Sequence, residues 1–317
     1  MTHKYKTVLI FGAGISKAYG FPLASELLPQ IGGLRRNKAF RAYANTFMPH
    51  EADLSTFFEA TSIDYHGTID EFLRKNPRYI PIGLSAIAWL LLQHERSELE
   101  LARVVTSRNS FYRILFDILK LDPELGPPTH DISIITLNYE RSVEYWLNRM
   151  INLCVGEADK PQAIERLSAL RIHHLHGSLG SLDDLPYSTP PTDAIMQNAT
   201  AHLMTIYKRD RAFEESYETA IKMMHGAAMV YILGSSYDTT IYNGLFPNIS
   251  NSLIFAQSRI SRIYGTVIGT NPAMKERIAK VFGENNLIPA NPNEQPVDFL
   301  PRMMAEFHDL VTQRSQA

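Results

Sequence analysis

A chain of 317 residues is long enough to bury a large core, in one domain or two. Hydrophobic residues make up 45% and charged residues 20%, and a formal net charge of -2 gives no reason to expect a nucleic-acid surface. Cys154 is the single cysteine, which excludes an intrachain disulfide and a cysteine-based zinc cluster and suits a reducing cytoplasm. The most apolar run, residues 86–92, is far too short to span a bilayer, and no signal peptide is read before the first strand. A cytoplasmic protein is expected.

Residues 7–11 form a β-branched, apolar run that stops at Gly12-Ala13-Gly14-Ile15-Ser16. That is the form of a buried parallel strand entering a tight turn and then a helix N-terminus, where glycines permit close approach and free N–H groups suit a phosphate. Residues 16–28 carry helical spacing broken at Gly20-Phe21-Pro22. Pro22 is placed to open a second helix, which Pro29 and Gly32-Gly33 end. No strand is expected over 35–121. Phe40, Tyr43 and Phe47, then Leu54, Phe57 and Phe58, then Ile69, Phe72 and Leu73 recur at helical spacings. One long helix is expected over 82–105, apolar on all sides at its start, and another over 110–121. A βαβ crossover does not need such length, so the block reads as a helical insertion that covers or shapes a site. Asp70, on one of its helices, reads as a solvated acid.

Further strands are expected at 131–136, 170–175, 228–233, 262–268 and 287–289. Residues 194–225 are mostly helical, marked by Tyr207, Phe213, Tyr217 and Ile221, and a final helix covers 298–313. Strands alternating with helices predict an α/β fold, a Rossmann-like, mainly parallel sheet flanked by helices. It is read as one domain over 1–317 with the insertion at 35–121.

The strands end at polar, turn-forming signatures: the glycine turn, Thr136-Leu137-Asn138-Tyr139-Glu140, His176-Gly177-Ser178, Gly234-Ser235-Ser236 and Thr270-Asn271. In an open parallel sheet such loops converge on one crevice outside the carboxyl ends of the strands. The dehydrogenase fingerprint fails, because Lys17 stands where glycine or alanine is needed and residues 32–35 hold no acid for a ribose hydroxyl. Strand alternation puts His174 and His176 on one face and His173 on the other. No cysteine or carboxylate lies near them in sequence, so no metal is expected. Glu140 and Asp238 read as helix caps or as groups that orient the site.

The set of motifs resembles the sirtuin-like fold. Gly12, Ala13, Gly14 and Ser16 with Gly20 and Pro22 match its Gly-Ala-Gly-x-Ser and Gly-x-Pro elements. Thr136, Asn138 and Glu140 match its Thr-x-Asn-x-acid motif, and His176-Gly177-Ser178 its His-Gly-Ser. The zinc-binding cysteines of sirtuin deacylases are missing, and Leu23-Ala24 follows Pro22 where an acid is usual. The chain is more similar to the sirtuin-like NAD hydrolases of bacterial anti-phage defence, the Thoeris effector and its relatives, which also carry an element like Ile69-Asp70-Glu71-Phe72-Leu73. The resemblance implies cleavage of the nicotinamide–ribose bond of NAD, with Asn138 orienting the ribose or a water and His176 accepting a proton. Gly12, Ala13, Gly14, Ser16, Pro22 and Thr136 then bind the dinucleotide, and Gly234, Ser235 and Asn271 face its adenosine half. It also implies a homo-oligomer and a regulatory partner, such as an ATPase or an Argonaute-like protein. A non-catalytic sensor of NAD or ADP-ribose is the alternative, and a deacylase is less favoured.

Overall fold

The structure is a computed structural model that describes residues 5–46, 48, 50–62, 67–95, 105–128, 130–205, 210–247, 260, 262–267, 271–283 and 286–316. Six strands, β1 (Tyr5–Phe11), β2 (His130–Thr136), β3 (Arg171–His174), β4 (Met229–Leu233), β5 (Arg262–Gly265) and β6 (Leu287–Pro289), form one sheet. Their order is β3-β2-β1-β4-β5-β6 and every pairing is parallel. The fold is therefore α/β and Rossmann-like, with β1 at the centre. The chain goes first to one side of β1 and then to the other, so the order reverses between β1 and β4, the place where ligands bind in open sheets of this kind.

Val8, Leu9, Ile10 and Phe11 of β1 are wholly buried, as a strand covered on both faces requires. Leu9 and Phe11 pack with the helices encoded between β1 and β2, whereas Val8 and Ile10 face the helices that flank β4 and β5. The first group is α1 (Ala24–Gly33), α2 (Lys38–Ala44), α3 (Glu51–Ser62), α4 (Ile69–Lys75), α5 (Ile80–His94) and α6 (Phe111–Ile118). After β2 come α7 (Ser142–Cys154) and α8 (Lys160–Ser168), then α9 (Asp193–Ala201) and α10 (Arg211–Met224) after β3. The set closes with α11 (Thr239–Leu245), α12 (Pro272–Phe282) and α13 (Pro296–Gln316).

The elements differ from the expectations at several places. The glycine turn does not lead into a long helix. A 3-10 turn, Lys17–Tyr19, ends at Gly20 with φ of 90°, and α1 begins only at Ala24, where the Glu26 carboxylate accepts the Leu23 N–H at 2.9 Å. Pro29 lies inside α1 rather than ending it, past the first turn, so its missing N–H leaves one helical bond unmade. Gly32 is what α1 needs at its far end: a Cβ there would meet the Ser62 hydroxyl at 2.4 Å, so α1 and α3 cross at backbone distance. The long helix expected over 82–105 runs from Ile80 to His94, and residues 96–104 of that expectation lie outside the described residues, as do Phe47, Tyr207 and residues 268–270. The segment read as mostly helical over 194–225 is two helices, α9 and α10. No helix among the described residues is long and apolar enough to cross a membrane.

Candidate functional site

At the switch point the turns after β1 and β4 interlock through their backbones. Gly12 N–H donates to the Leu233 carbonyl and Gly14 N–H to the Gly234 carbonyl, both at 2.9 Å. A Cβ on Gly12 would stand 2.6 Å from the Gly234 oxygen, and one on Gly14 2.8 Å from it. Gly234, at φ of +64°, is packed as tightly from the other side, with Ile15 N at 2.6 Å. These glycines are required by the contact of two main chains. The expectation that Gly12 and Gly14 offer free N–H groups to a phosphate at a helix N-terminus is corrected, because both are donated within the protein and only a 3-10 turn follows. Ser16 is 1% exposed, and its hydroxyl lies 3.3 Å from the Ala13 carbonyl.

The turn after β2 is built from side chains instead. Thr136 Oγ1 accepts the Asn138 N–H at 3.1 Å and so folds the chain back at the strand end. Asn138 is 8% exposed. Its amide Nδ2 lies 3.1 Å from Glu140 Oε1 and 3.4 Å from both Ser16 Oγ and the Gly12 carbonyl. The β1 and β2 turns therefore meet at this amide. Glu140, 4% exposed, is bonded through both oxygens: Oε1 accepts from Asn138 Nδ2, while Oε2 accepts the N–H of Ser142, the first residue of α7, at 2.6 Å. The Ser142 hydroxyl is in turn bonded to the Tyr112 hydroxyl on α6.

The three histidines separate in a way that alternation did not predict. β3 ends at His174, so His176 sits in a turn and no longer follows the pleat. His173 and His176 both lean on α10: His173 Nε2 lies 3.0 Å from the Ser216 carbonyl and hydroxyl, and His176 Nε2 3.3 Å from the Tyr217 hydroxyl. His176 is 2% exposed, and burial pushes it down to about 4, opposed by a hydrogen bond to the Leu137 main chain. It is neutral at pH 7, with its Nε2 held by the Tyr217 hydroxyl. His174 turns to the other side. Its Nδ1 lies 2.8 Å from the Asn138 carbonyl oxygen and its Nε2 2.6 Å from Glu144 Oε1 on α7.

A buried arginine ties this edge together. Arg141 and Glu95, with side chains 2% and 0% exposed, are bonded through two guanidinium nitrogens at 2.8–3.1 Å. Arg141 Nη1 also donates to the carbonyls of Gly180, Ser181 and Leu185, so one side chain joins the end of α5 to the loop after β3. Asp70 is not solvated. It is 9% exposed and faces the Tyr139 hydroxyl, which also donates to the Met204 carbonyl at 2.9 Å. The Thr68–Glu71 capping box starts α4 so that Asp70 shares its buried side with Ile69 and Leu73. The helical block thus touches the residue next to Asn138. Glu95, Arg141, Glu144 and Tyr217 are site-forming residues that the motifs did not single out.

Other expected site residues have structural duties. Asn271 is exposed and caps α12, its Oδ1 accepting the Met274 N–H at 2.9 Å; Asp238 caps α11 in the same way. The Ser235 hydroxyl accepts from the Tyr242 hydroxyl at 2.8 Å, and Gly234 N–H donates to Thr266 Oγ1 at 2.9 Å. Pro22 is buried in the extended segment before α1. A cavity of about 380 Å³ opens beside the glycine turn, lined by Gly14, Tyr19, Asn109, Ser110, Gln295 and Val297 among others. Among the described residues, no three His, Cys, Asp or Glu side chains gather as a metal site.

No protein-family model matches the chain, and no curated protein does. Solved structures that it is similar to include Sir2Tm bound to a propionylated peptide, at 15% identity and a TM-score of 0.40. Another is Sir2 with a p53 peptide and NAD+, at 15% identity and a TM-score of 0.38. Each alignment covers 95% of this chain and 93% of the other.

Proposed function

We propose that the chain is an NAD glycohydrolase, which cleaves the bond between nicotinamide and ribose to give nicotinamide and ADP-ribose. The observation that carries this reading is the Asn138 amide, held by Glu140 where the β1 and β2 turns meet beside the switch point of a parallel sheet. The nicotinamide of NAD leaves as a neutral group, so the reaction needs no strong acid. It needs a held ribose, stabilisation of a sugar cation and a positioned water. With Nδ2 engaged by Glu140, Ser16 and Gly12, Asn138 Oδ1 is the atom to accept from a ribose hydroxyl or that water, and the Glu140 carboxylate beside it supplies negative charge. Gly12, Ala13, Gly14, Ser16, Pro22 and Thr136 shape the wall for the pyrophosphate. Gly234, Ser235 and Asn271 lie toward the adenosine half; the cavity of about 380 Å³ meets this set at Gly14 alone and is otherwise lined by residues within 15–19, 107–111 and 295–297. His176 serves as the proton acceptor by exchanging the Tyr217 hydroxyl for a ligand hydroxyl. Such an activity fits a defence effector that depletes NAD and is held inactive until a regulatory protein or self-assembly releases it.

The test is NAD consumption by the full chain, followed by release of nicotinamide. Asn138→Ala is expected to lower kcat by roughly 10²–10³-fold with the fold intact, the usual effect of losing one group that stabilises the transition state. Unchanged turnover in both Asn138→Ala and His176→Ala overturns the assignment. A second reading, a non-catalytic sensor of ADP-ribose, is favoured by the burial of His176 and by the hold of the Tyr217 hydroxyl on its Nε2. Calorimetry that finds ADP-ribose binding without turnover decides for it.

A further inference from the structure

His174 faces two groups that can only accept hydrogen bonds, the Asn138 carbonyl oxygen at 2.8 Å from Nδ1 and the Glu144 carboxylate at 2.6 Å from Nε2. A neutral imidazole carries one N–H and can satisfy only one of them, whereas an imidazolium carries two. The side chains of His174 and Glu144 are 13% and 28% exposed, so water makes good a lost bond at the carboxylate more easily than at the imidazole. The Asn138 N–H is already held by Thr136 and its amide by Glu140, which leaves its carbonyl as the remaining main-chain handle.

We propose that the Glu144–His174 ion pair is a positioning device that fixes the main chain of Asn138, and that the site works only while His174 carries both ring protons. The inference rests on the reading of Asn138 as the group that orients the ribose.

The charges around the pair favour this state. Burial alone lowers His174, but the charge and hydrogen bond of Glu144, with the Asn138 carbonyl and the more distant Glu140, outweigh it, so His174 titrates above its ordinary 6.5. Burial alone raises Glu144, and the charge and hydrogen bond of His174, with a smaller contribution from Arg141, bring it below the usual carboxylate range. His173, the neighbouring titratable group on β3, is lowered by burial and by His174, so it is neutral when His174 is charged. The sign follows. A raised pKa means that the protonated pair is complete below 6.5 and is lost as pH rises through the higher value of the folded state. Activity therefore has an alkaline limit set by His174. His176, held low by burial, does not titrate there.

The first measurement is the ¹⁵N ring spectrum of His174 in the full chain, which needs no ligand. Two protonated ring nitrogens at pH 6, below the ordinary 6.5, are expected, and a neutral ring at that pH overturns the proposal. The second is the pH profile of NAD turnover. Glu144→Gln is expected to move the alkaline limb of kcat to lower pH by about one unit, with little change in KM, and Glu144→Asp to restore part of it. His174→Gln keeps a donor for the Asn138 carbonyl but cannot titrate, so the limb disappears from its profile. At high pH the loss is expected to reach about 100-fold, since a shift of the order of 1 Å at a reacting centre has that effect. A limb that persists unchanged in both Glu144→Gln and His174→Gln overturns the proposal. If the wild type binds ADP-ribose but leaves NAD intact, the hydrolase reading fails separately. The same limb is then expected in ADP-ribose affinity, and a pH-independent affinity overturns the positioning role.

Discussion

The turns that follow β1 and β2 lie side by side at the same edge of the sheet and are built on opposite principles. The β1 turn is held against β4 by main chain alone, with Gly12, Gly14 and Gly234 leaving no room for a Cβ. The β2 turn is held by Thr136, Glu140, His174 and, through Arg141, the end of α5. A wall made of backbone is rigid and chemically uniform, so it can shape a ligand but has little with which to titrate or exchange. A turn made of buried polar side chains offers donors, acceptors and charge, and each of these groups is costly if left alone.

Breaking the clamp of the polar turn has the largest expected effect. Burial already pushes Glu95 up to about 7 beside Arg141, so Arg141→Leu leaves it without its counter-ion and protonated at neutral pH, and frees the carbonyls of Gly180, Ser181 and Leu185. Removing one partner of a buried pair typically costs about 3–5 kcal/mol, so the urea midpoint is expected to fall sharply. Loss of less than about 1 kcal/mol would show that the pair contributes little and that the two turns differ less than the geometry indicates.

Acid provides the next comparison. His176 is held down at about 4 against an ordinary 6.5. Between these values the unfolded chain binds a proton that the folded chain does not, so stability falls as pH drops, by on the order of 3 kcal/mol across the window. His176→Asn is expected to flatten that part of the stability–pH curve, measured by urea denaturation from pH 7 to pH 4. A slope identical to wild type sinks the assignment. On the glycine side the expected effect is steric and independent of pH. Gly12→Ala brings a methyl group to 2.6 Å from the Gly234 oxygen, and overpacking of this kind costs about 1–3 kcal/mol.

Much of this edge is readable from residues close together in sequence. β1 and β4 announce themselves as short apolar runs ending in glycine, and Asn138 with Glu140 as a polar pair two residues apart at a strand end. Groups that act across long separations are not readable in that way. Arg141 and Glu95 lie 46 residues apart, and a buried arginine looks like any other charged residue until the fold brings its partner to it. His176 shares the side of His173 rather than that of His174 because β3 stops at His174 and strand alternation does not extend to it. Asp70 is an intermediate case. It stands three residues before Leu73, on the stripe that buries Ile69 and Leu73, so the helical spacing contained the signal and the usual solvation of aspartate masked it.

Tyr139 tests the weakest link between the regions, the contact of the helical block with the polar turn. Its hydroxyl faces Asp70 on α4 and donates to the Met204 carbonyl after α9. Tyr139→Phe removes the donor and leaves both acceptors, a change expected to cost about 1 kcal/mol. Asp70→Asn keeps an acceptor for the hydroxyl but loses the charge, so alone it is expected to cost less. In a double-mutant cycle the two changes are expected to couple by at least about 0.5 kcal/mol, because residues that share a bond do not add. Strict additivity would mean that α4 only covers the turn. Coupling would mean that a shift of the helical block is felt one residue away from Asn138, the shortest physical route by which something docked on those helices could alter the site.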